Sequence, residues 1–261
     1  MQVTLPNQLR IEYESFGAEG APTILLIMGL GAQLLRWNIE ICEALVDKGY
    51  RVIRFDNRDC GLSSRLDDAP VPDVGALLRH GVRPNLSYTL EDMAADTLGL
   101  LDALAVSAAH IVGISMGGAV AMRAATLPDA PWKALVLLCT FDDLASVVEM
   151  QAEKLAGPVL GPLLAFGAET RFAIETGQTP SAANSKLLAS KVNCPVLIAH
   201  GTADSFIPPE CGQRLHEALT AAKSRRWVPV PGAGHATIFT TDFPLFATLS
   251  EWLLREMPRA R

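Results

Sequence analysis

No stretch of this sequence reaches the roughly 18 uninterrupted apolar residues of a membrane-spanning helix, so no span is expected. No block of about five like charges occurs. With 22 Lys+Arg against 28 Asp+Glu, the net charge is -6. Nothing therefore forms the basic patch that neutralises a phosphate backbone, and nucleic-acid binding is not expected. The five cysteines, Cys42, Cys60, Cys139, Cys194 and Cys211, contain no C-x-x-C pair. An odd count without that spacing argues against a disulfide framework and against a zinc site, leaving small buried hydrophobes. The opening residues, Met1 to Asn7, lack a basic region followed by an apolar one, and a cytoplasmic location is expected.

What is present describes an ordinary globular chain. Its 261 residues are 49% hydrophobic and 19% charged, a length near the upper limit for one domain and suited to a domain with an insertion. Short apolar runs alternate with longer segments of helical period, the pattern of a mostly parallel sheet covered by helices on both faces. The strand candidates are Thr23 to Met28, Arg51 to Phe55, Ala109 to Ile114, Ala134 to Cys139, Pro195 to Ala199 and Arg226 to Val230. A hairpin over residues 2 to 16, turning at Pro6-Asn7, adds two antiparallel strands and predicts eight in all. Leu35/Ile39/Cys42/Val46, Met93/Thr97/Leu100/Leu101/Leu104 and Leu245/Leu249/Trp252/Leu253 mark buried helix faces. Between Phe141 and Asn193 the alternation fails and two Gly-Pro breakers appear, which reads as a helical insertion. The expected organisation is a core over residues 1–140, an insertion over 141–193 and the rest of the core over 194–261. Asp67 to Asn85 reads as a long loop.

The strand ending at Ile114 runs into Gly113-Ile114-Ser115-Met116-Gly117-Gly118, and a small-residue helix follows. A strand that turns into a helix within about one residue strains the intervening backbone and lifts the serine hydroxyl above the sheet. Ser115 is therefore the candidate nucleophile. A serine needs a base, and the base needs an orienting carboxylate. His235, in a Gly-rich loop past the last strand, has a setting that His80, His110, His200 and His216 lack. Asp204 follows the penultimate strand and completes the order Ser, Asp, His; Asp142 and Asp143 are the alternative carboxylates. Backbone N–H groups of Met116 and Leu30, with Gly29 and Gly31 opening the approach, are the candidate oxyanion donors. Leu34 stands where G-x-G-x-x-G would need its last glycine, which disfavours a dinucleotide site.

IMGLG at 27–31, FDNRDCGLS at 55–63, YTLEDMAADTLGLLDAL at 88–104, VGISMGG at 112–118, HGTAD at 200–204 and GAGH at 232–235 together resemble the α/β-hydrolase superfamily. Gly29 through Arg36-Trp37, with Asp56 to Ser63, is similar to the subgroup that includes aclacinomycin methylesterase. The resemblance implies an eight-stranded α/β-hydrolase fold with a short helical cap. It also implies ester hydrolysis through an acyl-enzyme, without metal or organic cofactor, on a small-molecule ester. Many relatives carry His-Gly where this sequence has Met28-Gly29, which removes a side chain that often supports the oxyanion loop. Leu155, Val159, Leu160, Leu163, Leu164 and Phe166 supply an apolar set that either lines the pocket, favouring an ester with a hydrophobic acyl or alcohol group, or packs the cap on the core. The alternatives on one scaffold are a C-C bond hydrolase, a perhydrolase, and a prolyl aminopeptidase using Glu149, Glu153, Glu169 or Glu175. A ligand receptor that retains the hydrolase fold is the reading from a different class.

Overall fold

The computed structural model describes residues 1–67, 87–128, 130–176, 184–238 and 245–256, the side chains of 166–176, 246, 247, 250 and 254 excepted. Asp67 apart, the predicted loop lies outside the described residues, as do His80 and the side chains of Phe166, Glu169 and Glu175. Among the described residues the strands are β1 Gln2–Thr4, β2 Arg10–Phe16, β3 Thr23–Ile27, β4 Arg51–Phe55, β5 Ala109–Ile114, β6 Trp132–Leu138, β7 Val196–Gly201 and β8 Arg225–Val230. They form one eight-stranded sheet in the order β1-β2-β4-β3-β5-β6-β7-β8. From β4 to β8 every pairing is parallel; β1 and β2 add the antiparallel edge. The helices are α1 Ile39–Asp47, α2 Leu90–Ala103, α3 Met116–Thr126, α4 Leu144–Thr176, α5 Lys186–Ala189, α6 Pro209–Ala218 and α7 Leu245–Glu256.

Strand alternation divides the core in two. Along β3, Leu25 and Ile27 face one layer, where α2, α3 and α6 contribute Met93, Leu101, Val120, Met122 and Leu215. Ile24 and Leu26 face the other, closed by Ile41, Cys42 and Leu45 of α1 and Leu249, Trp252 and Leu253 of α7. Both faces are thus covered by helices, which is why the central strands read as unbroken apolar runs. Local chemistry sets the helix starts. Thr89 and Asp92 form a reciprocal capping box at α2, and Asn38 Oδ1 accepts from Ile41 N at α1.

The first predicted helix face needs correction. Asn38 caps α1, so the preceding residues Leu34–Arg36 form a separate 3₁₀ turn, with Trp37 buried beyond it. Leu35 and Ile39 consequently face outward, and Ile41, Cys42 and Leu45 carry the buried face. Between β6 and β7 the described residues hold α4 and α5 and no strand. Gly157, at φ 78°, breaks α4 immediately before Pro158.

Candidate active site

β5 ends at Ile114 and α3 begins at Met116, which leaves Ser115 alone at the turn with φ 54° and ψ -123°. A non-glycine residue there carries about 1–3 kcal/mol of strain, so the surroundings must hold it in place. Ser115 N donates to Leu138 O at 2.9 Å, and Gly118 N donates to Ser115 O at 3.0 Å. The flanking glycines allow backbone to meet backbone. A Cβ at Gly113 would stand 2.3 Å from Gly117 O, and one at Gly117 would stand 2.5 Å from Ile27 O. The sequence therefore folds this way because the elbow, its own helix and β3 share space that side chains would fill.

Asp204 lies just past β7 and is 5% exposed. Its Oδ1 accepts from Phe206 N at 2.9 Å and Ile207 N at 2.8 Å, while Oδ2 lies 2.8 Å from His235 Nδ1. Burial pushes the carboxyl pKa up, but hydrogen bonds from His200, His235 and the Ile207 amide outweigh it and hold the group well below the usual carboxylate range. An ionised Asp204 can only accept, so the Nδ1–H of His235 is the donor in this bond. The His235 ring packs against Phe206, centroids 5.2 Å apart. His235 and Ser115 line a common cavity of about 400 Å³, together with Met28, Gly29, Leu30, Ala32, Arg36, Asn38, Ile114, Phe206 and Ala236. Among the described residues no hydrogen bond joins Ser115 Oγ to the His235 ring, whose Nδ1 is engaged by Asp204.

The other sequence-derived positions sort themselves around this cavity. Gly29 and Leu30 line it, and a Cβ at Gly29 would lie 3.2 Å from that of Ser115. Gly31, at φ 65°, and Met116 do not line it, although the amide of Met116 opens α3 directly behind Ser115. Asp142 is taken by Arg214, with Nε–Oδ2 at 2.7 Å and Nη2–Oδ1 at 2.9 Å, and Asp143 accepts from Ala145 N at 3.3 Å. Asp204 is the carboxylate on His235. Leu155, Val159, Leu160, Leu163 and Leu164 are solvent-exposed and none lines the cavity, which corrects their pocket reading. His110 is fully buried and burial pushes its pKa down to about 4, the behaviour of a neutral core histidine.

Three neighbours escaped the sequence reading. His200 Nε2 lies 2.9 Å from Ile207 O and 3.5 Å from Asp204 Oδ2, so a second imidazole backs the carboxylate. The H-G-T-A-D spacing held that signal, since residues four apart across a tight turn come together. Cys139 Sγ joins His200 and Asp204 within 4.8 Å, and burial pushes its thiol far above the ordinary range. Asn57 Nδ2 donates to Met28 O at 3.1 Å and braces the loop after β3 from the next strand end.

Residues 22–158 match the alpha/beta hydrolase fold family. The chain belongs to that family. Rhodomycin D methylesterase DnrP of Streptomyces peucetius is 37% identical over 131 residues, which span 50% of this chain and 38% of that protein. The chain thus matches about two fifths of the length of that curated relative. The crystal structure of the enol-lactonase from Burkholderia xenovorans LB400 superposes with a TM-score of 0.65 at 20% identity, covering 98% of this chain and 99% of that one. A thermophilic esterase from Thermogutta terrifontis, malate bound, gives 0.64 at 22% identity, covering 98% of each chain. At these identities the two structures bear on the fold alone. Ligand pockets in open α/β sheets form beyond the carboxyl ends of the strands, and the hydrolase-fold cavity of this chain lies there, past β3, β5, β7 and β8.

Proposed function

We propose that the protein hydrolyses carboxylic esters of small molecules through an acyl-enzyme formed on Ser115. The observation that carries this reading is the 2.8 Å bond between Asp204 and His235 Nδ1, in a cavity that Ser115 shares with the same imidazole. Ser115 Oγ attacks the ester carbonyl carbon while His235 Nε2 takes its proton. The oxyanion receives the N–H groups of Met116 and Leu30, and the alcohol leaves with the proton held by the imidazolium. Water then gives a proton to His235, attacks the acyl carbon, and releases the acid with Ser115 restored. Asp204 keeps Nδ1 protonated and stabilises the imidazolium. Similarity to a methylesterase over 131 residues supports an ester as substrate. We propose further that α4 and α5 form the helical insertion, residues 141–193, between core segments 1–140 and 194–261.

A prolyl aminopeptidase needs a carboxylate for the substrate ammonium, and the described residues of the cavity include none. Glu149 and Glu153 lie on α4 and do not line the cavity. Turnover of p-nitrophenyl esters from acetate to decanoate tests the ester reading, with Ser115→Ala as blank, fluorophosphonate labelling of Ser115, and proline p-nitroanilide in parallel. Serine-dependent nitrophenolate release is expected. Turnover of the anilide alone, or label retained by Ser115→Ala, would overturn it.

A further inference from the structure

Among the described residues that line the cavity, Arg36 alone is an arginine, lysine or carboxylate. The main chain beneath Arg36 is fixed at both ends. Leu34 N donates to the buried Asp56 Oδ1 at 2.7 Å, Trp37 N donates to Leu34 O at 3.1 Å, and Trp37 O accepts from Arg54. The same bonds occupy the nearby acids. Asp56 is spent on the amides of Leu34 and Leu62, and Glu14 pairs with Arg54. Among the described residues no carboxylate lies within ion-pair distance of Arg36. Arg36 is thus a solvent-exposed residue on the wall of this cavity, on a main chain braced at both ends and with no ion-pair partner among the described residues, in a chain of net charge -6.

Beside it, Asn38 has an orientation set by the fold. Its Oδ1 caps α1 by accepting from Ile41 N at 3.2 Å, which turns Nδ2 away from the cap and leaves it without a partner among the described residues. Two neighbouring groups on the cavity wall, Arg36 and Asn38, therefore offer donors only. Planar N–H groups of arginine match a carboxylate in a paired geometry that a neutral acceptor cannot reproduce. We infer that the substrate is an ester bearing a carboxylate remote from the scissile bond, held by Arg36 and Asn38 while Ser115 attacks. This rests on the ester reading above and narrows it to an anionic substrate class. The carboxylate stays ionised and unreacted throughout, so the bond changes are those already described.

The test compares mono-p-nitrophenyl adipate with its carboxamide analogue, which differ in charge and hardly in shape. Binding to Ser115→Ala is measured by calorimetric titration, and nitrophenolate release by the intact enzyme gives kcat/KM for each. Ser115→Ala is expected to bind the acid about tenfold more tightly than the amide, a preference that Arg36→Ala in the same background abolishes. In the active enzyme Arg36→Ala lowers the acid-to-amide ratio of kcat/KM by about tenfold, and Arg36→Glu drives it below one. Asn38→Asp keeps the helix cap but replaces the donor with an acceptor, and lowers the ratio as well. Raising ionic strength from about 0.01 to 0.5 M should erode the preference of the unmodified protein. Equal binding of acid and amide by Ser115→Ala, or a preference that survives Arg36→Ala, would overturn the inference. Arg36-dependent binding without turnover of either ester would leave the anion site standing and overturn the hydrolytic reading instead.

Discussion

Asp204→Asn tests the site at its most constrained point. Oδ1 of Asp204 accepts from two backbone amides, Phe206 N at 2.9 Å and Ile207 N at 2.8 Å. An asparagine must keep its oxygen there, because turning the NH₂ toward those amides would set donors against donors. Its nitrogen then faces His235 Nδ1 and His200 Nε2. A donor opposite Nδ1 forces the His235 proton onto Nε2, where the ring can no longer accept from Ser115 Oγ. The same substitution in a serine protease triad lowers kcat about 10⁴-fold, which corresponds to about 5 kcal/mol of transition-state stabilisation. A loss of that order is expected in steady-state nitrophenolate release. Stability should fall much less, by about 1–3 kcal/mol in urea unfolding, because shape and the two amide bonds survive. The separation of the two numbers is the decisive feature. If Asp204→Asn retained more than about a tenth of the activity while Asp142→Asn lost it, the carboxylate would belong to the Arg214 pair and the assignment of Asp204 would be wrong.

His200→Leu removes one donor from Asp204 and weakens the depression of its pKa. A depressed carboxyl stabilises the fold above its ordinary value of 3.8 and loses that contribution as pH falls through the folded value, so the acid-unfolding midpoint should move to higher pH, read by circular dichroism. Asn57→Ala leaves the buried Met28 carbonyl without its side-chain donor; about 1–3 kcal/mol of stability should be lost, and kcat should fall more than KM changes. Gly117→Ala places a Cβ 2.5 Å from Ile27 O and 2.6 Å from Met28 O, backbone that cannot yield, and should lower stability by at least about 1–3 kcal/mol in thermal melts. Arg214→Ala strands the buried Asp142. With the arginine side chain 40% exposed, the loss should sit near the lower end of the several kcal/mol typical of broken buried pairs, and Asp142→Asn in the same background should restore part of it.

What the sequence made legible was local, and what it hid depended on the sheet order. The elbow could be read because Gly113 and Gly117 are required by contacts within a few residues of Ser115 and with one neighbouring strand. Asp204 and His235 could be read because each follows a strand, and parallel strands deliver their ends to one edge. Asn57 could not. It supports Met28 because β4 lies beside β3 in the sheet, an adjacency absent from the linear order of residues in a loop rich in hydrogen-bonding side chains. The insertion marks a different boundary. Leu155, Val159 and Leu163 have the composition of a pocket wall, yet hydrophobicity alone does not say which side of a helix faces a cavity, and these side chains point to solvent. Arg36 fails the same test in the opposite direction. An exposed arginine in a chain with 22 basic residues carries no sequence signal, and Arg36 stands out only because it lines the cavity while Asp56 and Glu14 are occupied elsewhere. On the anionic-substrate reading proposed above, substrate class is written less in the elbow and strand-end motifs than in which charges the scaffold leaves unpaired on the cavity wall.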